Sequence, residues 1–62
     1  MYNYELLMDV LEAGQKVGEI KRKFPAHHRL EAMAKVEDIL AKENVVAQAK
    51  KRKLEFADLR TD

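Results

Sequence analysis

The chain has 62 residues, 12 of them Lys or Arg and 11 Asp or Glu, and its formal net charge is +1. It contains no Cys, which excludes disulfides and thiolate-bound metal ions as sources of stability. A scaffold of this length rarely obtains more than about 3–5 kcal/mol from one core, and many such scaffolds are completed by oligomerisation or by a partner.

The composition also argues against most enzyme classes. There is no Ser and no Cys, and the only Thr is Thr61 near the end of the sequence, so the usual nucleophilic triads have no candidate. Two glycines are too few for a phosphate-binding loop. His27 and Glu31 would share a helix face but supply only two ligands, fewer than a zinc site needs, and His28 points elsewhere. We therefore expect no enzymatic activity, no metal and no cofactor.

Targeting signals are not evident in the sequence. No run of 18 apolar residues is present, so no membrane-spanning helix is predicted. The first five residues lack the positive charge of a signal peptide. These features predict a cytoplasmic protein without membrane contact, folded as a single small domain over residues 1–62 with a frayed tail at 58–62.

The first predicted element is a helix over about residues 3–23. Asn3 is a suitable N-cap, because its side-chain oxygen can accept an otherwise unpaired backbone N–H. Apolar residues then recur at alternating spacings of four and three, as in a coiled-coil seam, at Leu6, Val10, Ala13, Val17, Ile20 and Phe24. The alternation with period two that is typical of a strand is not evident.

Gly14 and Gly18 lie four residues apart within this predicted helix. Each glycine costs about 1 kcal/mol relative to Ala in a helix interior. A close crossing with another helix would offset that cost, since a missing Cβ lets two backbones approach. The sequence therefore predicts a helix crossing at these glycines, with two tolerated glycines as the alternative.

The second predicted element is a helix over about residues 26–56. Pro25 favours a turn before it, and its missing N–H is harmless in the first turn of a helix. An apolar stripe follows at Leu30, Met33, Val36 and Leu40. A break near residues 43–44 is the alternative, because Asn44 could cap either half. The predicted fold is all-α: an antiparallel helical hairpin that pairs into a four-helix-bundle homodimer.

The charge is concentrated in two basic blocks. They consist of Lys21, Arg22, Lys23 and Arg29, and of Lys50, Lys51, Arg52 and Lys53. Four consecutive bases on a helix spread over about 300° of its circumference, so they cannot all face one groove. The second block is therefore predicted to steer an acidic protein partner. The alternative is that both blocks bind nucleic acid.

The first predicted helix has more apolar side chains than one seam requires. The additional ones are Tyr4, Leu7, Met8 and Leu11. Tyr and Met suit adaptable binding surfaces, so these residues are the predicted partner-binding anchors. The predicted function is a small non-enzymatic interaction module that binds and modulates a larger protein by inhibiting or adapting it. A nucleic-acid-binding regulator and a structural or assembly subunit are the alternatives.

Overall fold

The computed structural model describes residues 1–61 and has mixed α and β structure. The elements are β1 (Tyr2–Glu12), β2 (Gln15–Ala26), α1 (Arg29–Ala49) and β3 (Arg52–Thr61). They form one antiparallel sheet of order β2-β1-β3, with α1 packed on one face. The predicted all-α helical hairpin and its four-helix bundle are therefore wrong. Residues 58–61, expected to fray, form the end of β3, and Asp62 lies outside the described residues.

The first predicted helix, residues 3–23, is a β-hairpin because its apolar residues also alternate with period two. Tyr4, Leu6, Met8 and Val10 are buried on the face of β1 that α1 covers. In a strand, residues i, i+2 and i+4 share one face. Leu7 and Leu11 place further apolar side chains on the other face, and this masked the alternation and imitated a helical stripe.

A two-residue turn joins β1 to β2 at Ala13 and Gly14. Both residues have positive φ, 53° and 80°, as the type I′ turn of a two-residue hairpin requires. Gly14 is therefore a turn residue. Gly18 lies in β2 opposite Val10. Neither glycine is in a helix, so neither forms the helix crossing that the sequence suggested.

Ala13 is strained in this turn, because a left-handed backbone costs a non-glycine residue about 1–2 kcal/mol. Asn accepts that conformation more readily and is favoured in type I′ turns. Replacing Ala13 with Asn is expected to raise the free energy of unfolding by about 0.5–1 kcal/mol, measured by urea denaturation. Gly14→Ala is the matched control and should lower it, since φ is also positive there. An unchanged or lower value for Ala13→Asn would contradict the turn assignment.

The helix α1 is shorter than the predicted helix over residues 26–56. It begins after His28, whose Nδ1 accepts the backbone N–H of Glu31 at 3.1 Å. It ends at Ala49 with Lys50 as its C-cap, and Lys51 turns the chain with φ of 58°. Asn44 lies within α1, so the alternative of a break at residues 43–44 is also wrong. Residues 52–56, predicted as helix, belong to β3.

The hydrophobic core lies between α1 and the sheet. Its largest fully buried side chains are Leu6, Met8 and Val36, which join the central strand to the helix. The rings of Tyr4 and Phe24 stack across β1 and β2 with centroids 6.1 Å apart. A three-stranded sheet is about 14 Å wide, whereas a helix is about 10–12 Å across. One helix therefore leaves part of this sheet uncovered.

Candidate interaction surface

The free edge of β3 is capped by side chains from α1. The Asn44 amide donates from Nδ2 to the Leu54 carbonyl at 3.0 Å and accepts the Leu54 N–H at 2.8 Å. Near the other end, Arg29 Nη1 donates to the Leu59 carbonyl at 3.4 Å. Unpaired edge groups invite pairing with another strand, so these contacts make β3 a poor docking edge. They also draw α1 towards β3 and away from β2.

The contact between Asn44 and Leu54 shows which backbone groups of β2 point towards the free edge of the sheet. Because Asn44 bonds both backbone groups of Leu54, those groups point away from β1. Val10 lies opposite Leu54 and must direct its own backbone groups towards β2, where it pairs with Gly18. The direction alternates along an antiparallel strand. Gly18 therefore points its backbone groups inward, towards β1.

By the same alternation, Ile20 and Arg22 also bond inward to β1, while Glu19 and Lys21 present their N–H and C=O groups to the free edge. The hydrogen bond from Arg22 Nη1 to the Lys21 carbonyl, 3.0 Å long, agrees with an outward carbonyl there. The edge of β2 around Glu19 and Lys21 is thus accessible to another strand.

A groove runs between α1 and β2 on the same flank, and we call it the α1–β2 groove. Its main cleft has a volume of about 480 Å³, and its apolar lining comes from Val10, Val17, Ile20, Val46, Ala47 and Leu54. Val17 is 56% exposed and Val46 61% exposed. An ion pair of 2.6 Å between Arg22 Nε and Glu43 Oε1 crosses the groove. The groove is therefore an apolar surface with a charged rim.

The face of the sheet opposite α1, which we call the open face, carries mostly charged side chains. By the strand register it carries five acids and five bases: Glu5, Asp9, Glu19, Glu55, Asp58, Lys16, Lys21, Lys23, Lys53 and Arg60. These ten positions include no aromatic residue. Proteins that bind single-stranded nucleic acid combine a positive groove with stacking aromatic rings. This balanced face has neither property.

Ion pairs on the open face shift the pKa values of the charged side chains that form them. Lys16 Nζ lies 2.7 Å from Glu19 and 3.2 Å from Asp9. Its hydrogen bond with Glu19 lowers the pKa of that carboxyl and raises the pKa of Lys16. The hydrogen bond from Arg60 likewise lowers the pKa of Asp58. These exposed pairs keep their charges at neutral pH and leave the face close to electrically neutral.

The first basic block does not form one patch. The register puts Lys21 and Lys23 on the open face, whereas Arg22 bonds Glu43 beside the groove. Arg29 reaches the opposite edge of the sheet, at β3. The four side chains that the nucleic-acid alternative grouped together therefore lie at three separate places.

The second basic block covers the turn between α1 and β3 and the first two residues of β3. Arg52 Nε pairs with Glu12 at 3.1 Å, and Lys53 pairs with Glu55 at 3.3 Å. Lys50 is the C-cap of α1, and Lys51 is exposed in the turn. Two of the four charges are thus balanced within the chain, and the helical presentation assumed from the sequence does not occur.

The predicted apolar anchors lie mainly in the interior. Tyr4 is 5% exposed and Met8 is fully buried, both in the core beneath α1. Leu7 is 8% exposed on the open face, where its cross-strand neighbours are Lys21 and Asp58. Leu11 is half-buried.

The groove residues Val17 and Val46 were not identified from the sequence. Both were assigned to other roles or to no role in the helical interpretation. Recognition of residues 15–26 as a strand could have revealed this flank. With that strand in the sheet, α1 is the single helix that packs on it, and part of the sheet stays uncovered.

His27 and His28 lie in the connection between β2 and α1. His27 Nδ1 is 3.0 Å from Glu31 Oε2, and this hydrogen bond lowers the pKa of Glu31. Within residues 1–61, no three His, Cys, Asp or Glu side chains gather in a way that could hold a metal ion. His27 and Glu31, expected to share a helix face, are in contact, but His27 lies before the first residue of α1.

The chain matches no model of a known protein family, no curated protein and no solved structure. Over the described residues, no helix combines the length and apolar character needed to cross a membrane.

Proposed function

We propose that the protein is a small non-enzymatic interaction module that binds a larger protein at the α1–β2 groove and modulates it. One observation carries this proposal. The helix caps the edge of β3 and leaves the flank beside β2 uncovered, with Val46 61% exposed there. Exposed apolar surface with a polar rim is characteristic of binding grooves. The expected setting is the cytoplasm.

An amphipathic helix of the partner fits this groove best. The uncovered strip beside α1 runs along β2, and a second helix there would complete the layer that one helix cannot cover. Val17, Ile20 and Val46 would meet the apolar stripe of such a helix. The rim offers charges of both signs, including Arg22, Glu43 and Lys50, which would set the orientation of the partner.

Nucleic-acid binding receives less support. The open face has balanced charge and no aromatic residue, and the basic blocks are dispersed or paired with acids. A steep loss of affinity with salt is the property that such binding would show. A gel shift with RNA and DNA at low salt measures it directly.

Val46→Asp tests the proposal, with Val45→Asp as a matched control. The two valines are neighbours on α1 and are 61% and 72% exposed, but only Val46 lines the groove. Both variants should keep the melting temperature of the wild type. In affinity capture from source-cell extract, we expect Val46→Asp to weaken partner binding by about tenfold or more, as for a residue at the centre of an interface.

Val45→Asp should retain the same partner as the wild type. Equal capture by all three proteins would overturn the groove proposal. Recovery of nucleic acid in place of a protein would also overturn it, and would favour the alternative.

A further inference from the structure

We propose that β2 pairs antiparallel with β2 of a second copy of the chain, so that one six-stranded sheet spans a homodimer. Ile20 lies at the two-fold axis, facing the same residue of the second copy. The occupant of this edge is the chain itself. The inference rests on backbone direction and charge at the edge of β2 and does not depend on the proposed larger partner.

The two edges of the sheet differ in accessibility. Asn44 bonds both backbone groups of Leu54, Arg29 donates to the Leu59 carbonyl, and Asp58 accepts the Leu59 N–H. On β2, Glu19 and Lys21 direct their backbone groups outward. The Lys21 carbonyl already accepts from Arg22, and a carbonyl oxygen can accept a second hydrogen bond. Side chains therefore cap β3 at two positions, Leu54 and Leu59, and β2 is the edge more open to strand pairing.

Few registers are possible in a symmetric antiparallel pair. Residues whose backbone groups point outward must face each other across the dimer, because they exchange the hydrogen bonds. Such residues occupy every second position of β2, so the two-fold axis must pass through a residue and cannot pass between two residues. An axis at Lys21 places two lysines opposite each other, and an axis at Glu19 does the same with two glutamates. Like charges directly opposite are destabilising.

An axis at Ile20 avoids these repulsions. Glu19 then faces Lys21 of the second copy on both sides of the axis, which gives two ion pairs on the open face. The Lys21 side chain forms no ion pair within the described part of the chain, so it is available for this contact. On the other face, the two Ile20 side chains meet as an apolar cross-strand pair. The edge is thus complementary to itself in charge and in polarity.

This register also accounts for Gly18. A Cβ built at Gly18 meets no atom within 4 Å in the single chain, and its φ is not positive. Nothing within one copy therefore requires glycine there. In the dimer Gly18 faces Arg22 of the second copy, a long side chain on the same face of the sheet. The missing side chain leaves room for that arginine beside the axis.

The test is sedimentation equilibrium of the purified protein over concentrations from about 10 μM to about 1 mM, a range that covers weak association. The wild type should pass from monomer to dimer. Glu19→Lys and Lys21→Glu each place like charges opposite one another twice, and each should raise the dissociation constant by about tenfold or more. The double variant Glu19→Lys with Lys21→Glu recreates both ion pairs and should restore dimerisation.

A second measurement addresses the backbone. Amide hydrogen exchange should slow at Glu19 and Lys21 as the concentration rises, with no such change at Leu54, whose N–H is already bonded. A wild type that stays monomeric throughout this range would overturn the proposal. So would a dimer that neither single variant weakens, or a double variant that is not rescued. No larger partner is present in these samples, so failure here is separate from failure of the proposed function.

Discussion

Replacing Leu6 with Ala is expected to unfold a large part of the protein at room temperature. Leu6 is fully buried in the central strand, between β2 and β3 and beneath α1. Truncating a buried Leu to Ala removes about 2–5 kcal/mol, through lost burial and the cavity left behind. A single core of this size supplies only about 3–5 kcal/mol. The loss is therefore comparable with the whole stability, and thermal unfolding followed by circular dichroism would measure it.

Leu30→Ala is the control for this prediction. Leu30 is 81% exposed in the first turn of α1, so the same truncation should change the free energy of unfolding by no more than about 0.5 kcal/mol. Equal losses for the two variants would contradict the assignment of Leu6 to the core. The comparison also tests the sheet fold, because the helical hairpin predicted from the sequence placed both Leu6 and Leu30 in apolar stripes.

Asn44→Ala is expected to be the most damaging polar substitution in the chain. The amide makes two hydrogen bonds to the backbone of Leu54, a residue that is only 4% exposed. Without them, a donor and an acceptor near the core lose their partners, which costs about 1–3 kcal/mol for a buried group. The variant should melt at a lower temperature and should aggregate as the edge of β3 becomes available.

Gln48→Ala provides the comparison for Asn44→Ala. Gln48 lies four residues further along α1, and its side chain is exposed. Its truncation should leave both melting temperature and light scattering close to the wild type. An Asn44 variant with the stability and solubility of this control would show that the edge of β3 does not need its cap.

Leu6 and Asn44 stabilise two different parts of the fold. The central strand holds the fold together, and α1 is tied to one edge of the sheet by Asn44. The cap leaves the opposite flank, with Ile20 and Val46, as the surface for further interactions. The proposed larger partner lies in the groove and the proposed second copy pairs with the backbone edge, and the two proposals share Ile20 as a contact residue.

The predicted start of α1, near residue 26, is close to the observed start at Arg29, because short-range sequence features fix where this helix begins. Pro25 and the polar residues after it mark a connection, and residues 29–49 have helical apolar spacing around Val36 and Leu40. Helix formation depends mainly on neighbours within a few residues, so this element could be recognised from the sequence. Its end could not, because Lys51 adopts positive φ without being a glycine.

The hairpin of β1 and β2 shows where the local argument fails. Between Tyr4 and Leu11 the apolar residues are so frequent that they satisfy both the helical period and the strand period. Strand β1 then pairs with β3, about 50 residues away along the chain, as in the contact between Leu6 and Leu59. Such pairing is invisible to any pattern read within one segment.

By itself, the sequence determined that this is a small chain without disulfides or thiolate metal sites, with a helix following the only proline and with charge in two basic blocks. The strands over residues 2–12 and 15–26, the burial of Tyr4 and Met8 in the core and the separation of the basic blocks became evident from the fold. The physical reason is that strand pairing and burial are set by partners distant in sequence, whereas composition and helical spacing are local properties.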